Sequence, residues 1–155
     1  MVLAKIFKHL TSSKTEFESD DTRIAVIALS FYLINADGIQ NKNEYDKLVH
    51  TLKNDYEVDD TEIKQLLLAA EDAYKNALDI SIFCDIIKLK FSEEDIIGFI
   101  RFLFDLAYCN NHISELEDSV IWRISNKLGV SDEMRIQQKN IAAHSKHIQN
   151  KDIKQ

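Results

Sequence analysis

A chain of 155 residues with 26 acidic and 19 basic side chains, net charge −7, is long enough for one domain with a sizeable core. Such acidity leaves no basic surface to displace counterions from phosphate, which argues against a nucleic-acid partner. Proline is absent, Cys84 and Cys109 lack CxxC spacing, and no apolar run nears the ~18 residues of a membrane span, so a helical, cytoplasmic protein with reduced thiols is expected.

In residues 1–11, Val2, Leu3, Ile6, Phe7 and Leu10 form one helical face and Lys5, Lys8 and His9 the other. The segment lacks the apolar core and cleavage site of a secretion signal. It is read as packing against the bundle or fraying, with a peripheral contact on an anionic membrane as the alternative. Residues 1–18 are thus read as an amphipathic helix and linker, 19–145 as the helical domain and 146–155 as a polar tail.

Ser19 is the expected cap of the first long helix, with Asp20 and Asp21 at the positive end of its dipole. Ile24, Ile27, Ala28, Phe31 and Ile34 then recur at helical spacing. Tyr45, Leu48, Val49, Leu52 and Tyr56 mark a second helix. Asp59 or Asp60 starts a third, with Ile63, Leu66, Leu67, Ala70 and Tyr74 facing inward. Residues 80–89 carry Ile82, Phe83, Ile86 and Ile87, where β-branching would permit a strand but the spacing favours a helix.

Ser92-Glu93-Glu94-Asp95 opens a further helix through Ile96, Ile97, Ile100, Leu103, Phe104 and Ala107. The chain turns at Cys109-Asn110-Asn111. Ser114 and Glu117 have capping-box spacing, Val120, Ile121, Ile124 and Leu128 form the next inner face, and Gly129 suits a helix C-terminus. Ser131 caps a last helix that begins with Met134, and past Ile141 the polar sequence is expected to be loose. Trp122, Phe99, Phe102 and Phe104 are read as core, with Phe102 alternatively an exposed anchor for a partner.

The most distinctive stretch is Asn35-Ala36-Asp37-Gly38, with Glu44 six residues past the glycine. Gly38 suits a sharp reversal between helices, and Asp37 and Glu44 can aim carboxylates at one point, as Ca²⁺ or Mg²⁺ requires. The spacing is that of half an EF-hand loop. Asn35, Asp37 and Glu44 fall on positions 3, 5 and 12, but Leu33 stands at position 1, where a carboxylate is needed. The alternative is an ordinary turn followed by a solvated glutamate.

The pattern recurs. Ser19 pairs with Ser92, Asp37 with Asn110 and Glu44 with Glu117, each at an offset of 73 residues (117 − 44); after a one-residue slip, Val58-Asp59-Asp60 aligns with Val130-Ser131-Asp132. The expected fold is an all-α single bundle of about seven to eight helices with an internal pseudo-repeat.

With Ala36-Asp37-Gly38 and Glu44 in one half, and residues 107–111 with Glu117 in the other, the chain resembles the TerB-like tellurite-resistance domain. That family is related to the middle region of the DjlA co-chaperones. The resemblance covers residues 19–138 and implies a non-enzymatic, cytoplasmic stress-response module that binds a divalent cation weakly. It makes Asp37 and Glu44 the candidate metal ligands, with Glu117 a weaker third. Asn110 and Asn111 depart from the pattern, replacing its aspartate and glycine. Asn retains an acceptor oxygen and tolerates the left-handed conformation, but it brings no charge.

Other chemistry is thinly represented. Cys109 and His112 are the nearest approach to a nucleophile and base, and Cys109 reads more simply as the end of an apolar helix face. His144 and His147 are read as solvated rather than metal-binding. The alternative function is a metal-free scaffold that docks a protein partner, or a membrane surface through residues 1–11.

Overall fold

The computed structural model describes residues 17–18, 20–54 and 58–153, with side chains as far as residue 146. The readings of residues 1–11, Ser19 and Tyr56 lie outside the described residues. Among the described residues seven α-helices follow one another: α1 (Thr22–Ile34), α2 (Lys42–Asn54), α3 (Asp60–Asn76), α4 (Ser81–Lys90), α5 (Glu93–Ala107), α6 (Glu115–Lys127) and α7 (Asp132–Ile153). A 3-10 turn, Tyr108–Asn110, joins α5 to α6, and there is no strand among the described residues. None of the described helices is long and apolar enough to cross a membrane.

α1 is the central rod. Its sequence carries one charge, Arg23, and every residue except Tyr32 is buried, as expected of a helix that is apolar all round. It packs chiefly on α3 and α4 and also meets α2, α5 and α6. Leu29, Leu33, Leu48, Phe99 and Phe104 are among the fully buried side chains, each stabilising the fold by ~1.5–3 kcal/mol relative to exposure. Arg23 is only 3 % exposed. Its guanidinium is matched by Asp21, at 3.2 Å from Nε and 3.0 Å from Nη2, and by Glu62 at 3.1 Å from Nη1. A buried cation is tolerated only with partners of this kind.

The helix starts follow local capping chemistry. Asp21 accepts from the Arg23 amide at 2.8 Å, Asp59 from Glu62 at 2.9 Å and Ser131 from Met134 at 3.1 Å, while Ser92 and Ser114 form capping boxes with Asp95 and Glu117. α6 ends at Gly129 with φ +77°, and the Val130 amide returns to the Ser125 carbonyl at 2.9 Å.

The duplication is present in three dimensions. α2 and α6 each have 13 residues and begin 73 positions apart, and α5 packs on α7 as α1 packs on α3. α4 has no counterpart; it lies against α1 and α6.

Four expectations are corrected. The first long helix is capped by Asp21 rather than by Ser19. Trp122 is 46 % exposed rather than core, because the inner face of α6 runs through Ile121, Ile124 and Ser125 and one step along a helix turns a side chain about 100° away. The polar sequence past Ile141 is not loose but continues α7 to Ile153, with Ala142 buried. That longer helix covers α5, so Phe102 is 7 % exposed and is core, not an exposed anchor.

Candidate cation site: a carboxylate pair between two turns

The first turn begins where α1 runs out. The Asn35 side chain donates to the Phe31 carbonyl at 2.9 Å, and Gly38 reverses the chain at φ +80°. Asp37 accepts from the Ile39 amide at 3.0 Å, an Asx turn at the exposed tip. Asn41 then caps α2, its Oδ1 accepting from the Glu44 amide at 3.1 Å.

The second turn repeats this geometry with different residues. Asn111 takes the left-handed conformation at φ +72°, in the place of Gly38, and its amide donates to the Tyr108 carbonyl at 2.8 Å. Ser114 caps α6 by accepting from the Glu117 amide at 3.1 Å, and Glu117 Oε1 accepts from the Ser114 amide at 3.1 Å.

The turns interlock through three asparagines. Asn43 Nδ2 donates to Asn110 Oδ1 at 2.8 Å, and Asn110 Nδ2 donates to Asn41 Oδ1 at 3.3 Å. Asn110 therefore uses both ends of its amide, which a carboxylate could not do.

Behind this junction lies Glu44, 1 % exposed. Both of its carboxylate oxygens, and Glu117 Oε2, are buried without a hydrogen-bond partner. Burial pushes the Glu44 carboxyl up to about 9, helped by the neighbouring Glu117 carboxylate, to which only a protonated Glu44 could donate, and by the Asp37 charge. Two carboxylates can hydrogen-bond only when one carries a proton. With both ionised, three buried oxygens face one another with nothing to donate to them. A proton or a cation would answer that deficit.

Of the three residues read from the sequence, the structure brings Glu44 and Glu117 together. Asp37 remains at the exposed tip and acts on Glu44 only by its charge. Among the described residues no group of three or more His, Cys, Asp or Glu side chains is placed to hold a metal ion. The EF-hand arrangement is absent too, since Leu33 is fully buried and the Asn35 amide is committed to Phe31. Asn41 and Asn43 are the contributors that sequence reasoning missed, and Asn110, singled out as the counterpart of Asp37, instead holds the two turns together. A signal for Asn41 was available, because Asn41 and Glu44 have the spacing and 73-residue offset of Ser114 and Glu117.

Neither thiol is activated. Burial pushes Cys109 up to about 11, with the Glu44 charge adding to it, and Cys84 up to about 12. The His112 ring nitrogen nearest the turn contacts the Asn110 carbonyl at 3.1 Å.

Comparison with known proteins gives one family. Residues 23–140 match the family model described as tellurite resistance protein TerB, while no curated protein and no solved structure matches the chain. The matched span begins inside α1 and ends inside α7, so it takes in both turns, the asparagine junction and both glutamates. With more than half of its length under that match and a duplicated hairpin at its centre, the chain belongs to the TerB tellurite-resistance family.

Proposed function

We propose that this chain is a non-enzymatic tellurite-resistance-type module, cytoplasmic and linked to stress response, in which Glu44 and Glu117 take up a divalent cation weakly and so tie its two turns together. The observation that carries the reading is the set of three buried carboxylate oxygens without a donor. Hard cations such as Ca²⁺ and Mg²⁺ take oxygen ligands, and two carboxylates supply charge but few positions, so water would complete the shell and affinity would be low. Asp37 adds attraction from the rim rather than a bond.

Binding to the folded state alone would stabilise it by mass action. The test is thermal unfolding with Ca²⁺ and with Mg²⁺, in the wild type and in Glu44→Gln. The midpoint should rise with cation in the wild type and not in the variant. A wild-type midpoint unmoved by millimolar cation, or an equal rise in Glu44→Gln, overturns the proposal.

The exposed Trp122 favours a second reading, a metal-free scaffold for a protein partner, since tryptophan is enriched among side chains that anchor interfaces. Removing residues 1–11 and measuring liposome co-sedimentation separates its membrane-surface version, which alone requires that binding be lost.

A further inference from the structure

α2, α5, the 3-10 turn and α7 line an open groove of about 720 Å³. That volume is in the range of small-molecule sites, and the walls divide by chemistry. Tyr108 and the aliphatic stems of the lysines supply apolar surface over the buried Phe102 and Leu106, while Lys47 from α2, Arg101 from α5 and Lys146 from α7 bring cations to it. Asp46 and Asp105 also line the groove, so three cations stand against two carboxylates in a protein whose net charge is −7.

The arrangement of the cations is specific. Arg101 is held from both walls, with Nε donating to Asp105 at 3.1 Å and Nη2 to Ser145 at 3.2 Å. Its side chain is 28 % exposed, and Nη1 has no protein acceptor among the described residues. Asp105 thus balances Arg101, and Lys47 and Lys146 against Asp46 leave an excess of one positive charge. Lys47 and Lys146 line the groove together with Cys109 and Asp105. Arg101 Nη1 and the two lysine ammonium groups, all lining the groove, leave donors for a carboxylate.

We infer that this groove binds a small organic monoanion, a carboxylate on an apolar body, with Arg101, Lys47 and Lys146 receiving the carboxylate and Tyr108 receiving the body. Neither Glu44 nor Glu117 lines the groove, and the inference does not depend on a cation between them.

The test is calorimetric titration of the full chain with naphthoate and with decanoate in the presence of EDTA, alongside amide chemical-shift mapping. Neutral naphthalenemethanol serves as the uncharged control. Naphthoate or decanoate should bind saturably at one site and shift amides of α2, α5 and α7. Lys47→Gln and Lys146→Gln should each weaken binding about threefold to tenfold, as should loss of charge in the alcohol. Arg101→Gln should weaken it further; because Arg101 also joins α5 to α7, the two lysine variants keep the test valid if that protein fails to fold. No saturable binding of either acid at millimolar concentration overturns the inference. Equal affinity for the alcohol, or affinity unchanged in both lysine variants, does so as well.

Discussion

Glu44 and Glu117 hold the same position in two successive helical hairpins, each in the first turn of its second helix, and the bundle folds those hairpins so that the two carboxylates meet. Equivalence in the repeat is what makes them a pair. Their environments nevertheless differ, since Glu117 Oε1 receives the Ser114 amide while neither oxygen of Glu44 has a partner. Only one of the two is fully used as a cap.

This asymmetry predicts how stability depends on pH. The folded state holds the Glu44 proton up to about 9, whereas an ordinary glutamate releases it near 4.5. Between those values the folded protein binds more protons than the unfolded chain, so this contribution is fully present below about 4.5 and is lost as pH rises through about 9. Urea unfolding of cation-free protein across that window should show falling stability. In Glu44→Gln the amide can donate to Glu117 at every pH, so the decline should flatten and stability at the alkaline end should exceed wild type by about 1–3 kcal/mol. A wild-type curve that rises over the window would contradict the buried pair.

Asn110→Asp should exchange stability for charge. The substitution removes the amide donor to Asn41 and sets a carboxylate against the Asn41 oxygen, at a cost of about 1–3 kcal/mol. It also returns to the second turn the aspartate that the family pattern has there. Divalent affinity in oxygen sites tracks ligand charge, so cation-dependent stabilisation should increase in this variant. Chemical denaturation with and without Ca²⁺ measures both effects, and an unchanged stability without cation would show that the asparagine junction contributes nothing.

The features legible in the sequence are those written within a few residues. Asp59, Ser92, Ser114 and Ser131 cap their helices because a side-chain oxygen finds an amide two or three positions ahead. Asn111 adopts the left-handed turn expected of an asparagine in a glycine position. The pairing of halves was legible because one offset joined several residues. The burial of Glu44 was not, although it lies four residues before the fully buried Leu48 on the same helical face. Its acidity argued for solvent, and only the docking of the second turn encloses it. Asn43 and Asn110 are 67 residues apart, and no local pattern announces their contact. The exposure of Trp122 and burial of Phe102 likewise depend on which helix covers which face, and the polar composition of α7 concealed its length.

Gly38 offers a cleaner measurement of backbone strain than most turns. A Cβ built on it meets nothing within 4 Å, so Gly38→Ala introduces no clash and its effect is conformational. The left-handed φ of +80° should make the substitution cost about 1–2 kcal/mol. Gly38→Asn should cost less, because asparagine already occupies the equivalent place at Asn111. Equal loss in the two variants, read from their unfolding midpoints, would point to a steric cause instead.

Arg23 should be the most costly single polar deletion in the first half of the chain. It is buried between Asp21 and Glu62 and connects the cap of α1 to the first turn of α3. Its guanidinium lies 5.3 Å from the centre of the Phe17 ring, so cationic and apolar contacts are lost together on truncation. Arg23→Ala leaves Asp21, whose side chain is 14 % exposed, without its counter-ion and should destabilise the fold by about 3–5 kcal/mol. Arg23→Met keeps the packing and removes the charge. If Arg23→Met combined with Asp21→Asn recovers most of the loss in chemical denaturation, the cost of Arg23→Ala comes from the stranded carboxylate; if it recovers none, the three-residue hydrogen-bond geometry itself holds α1 to α3.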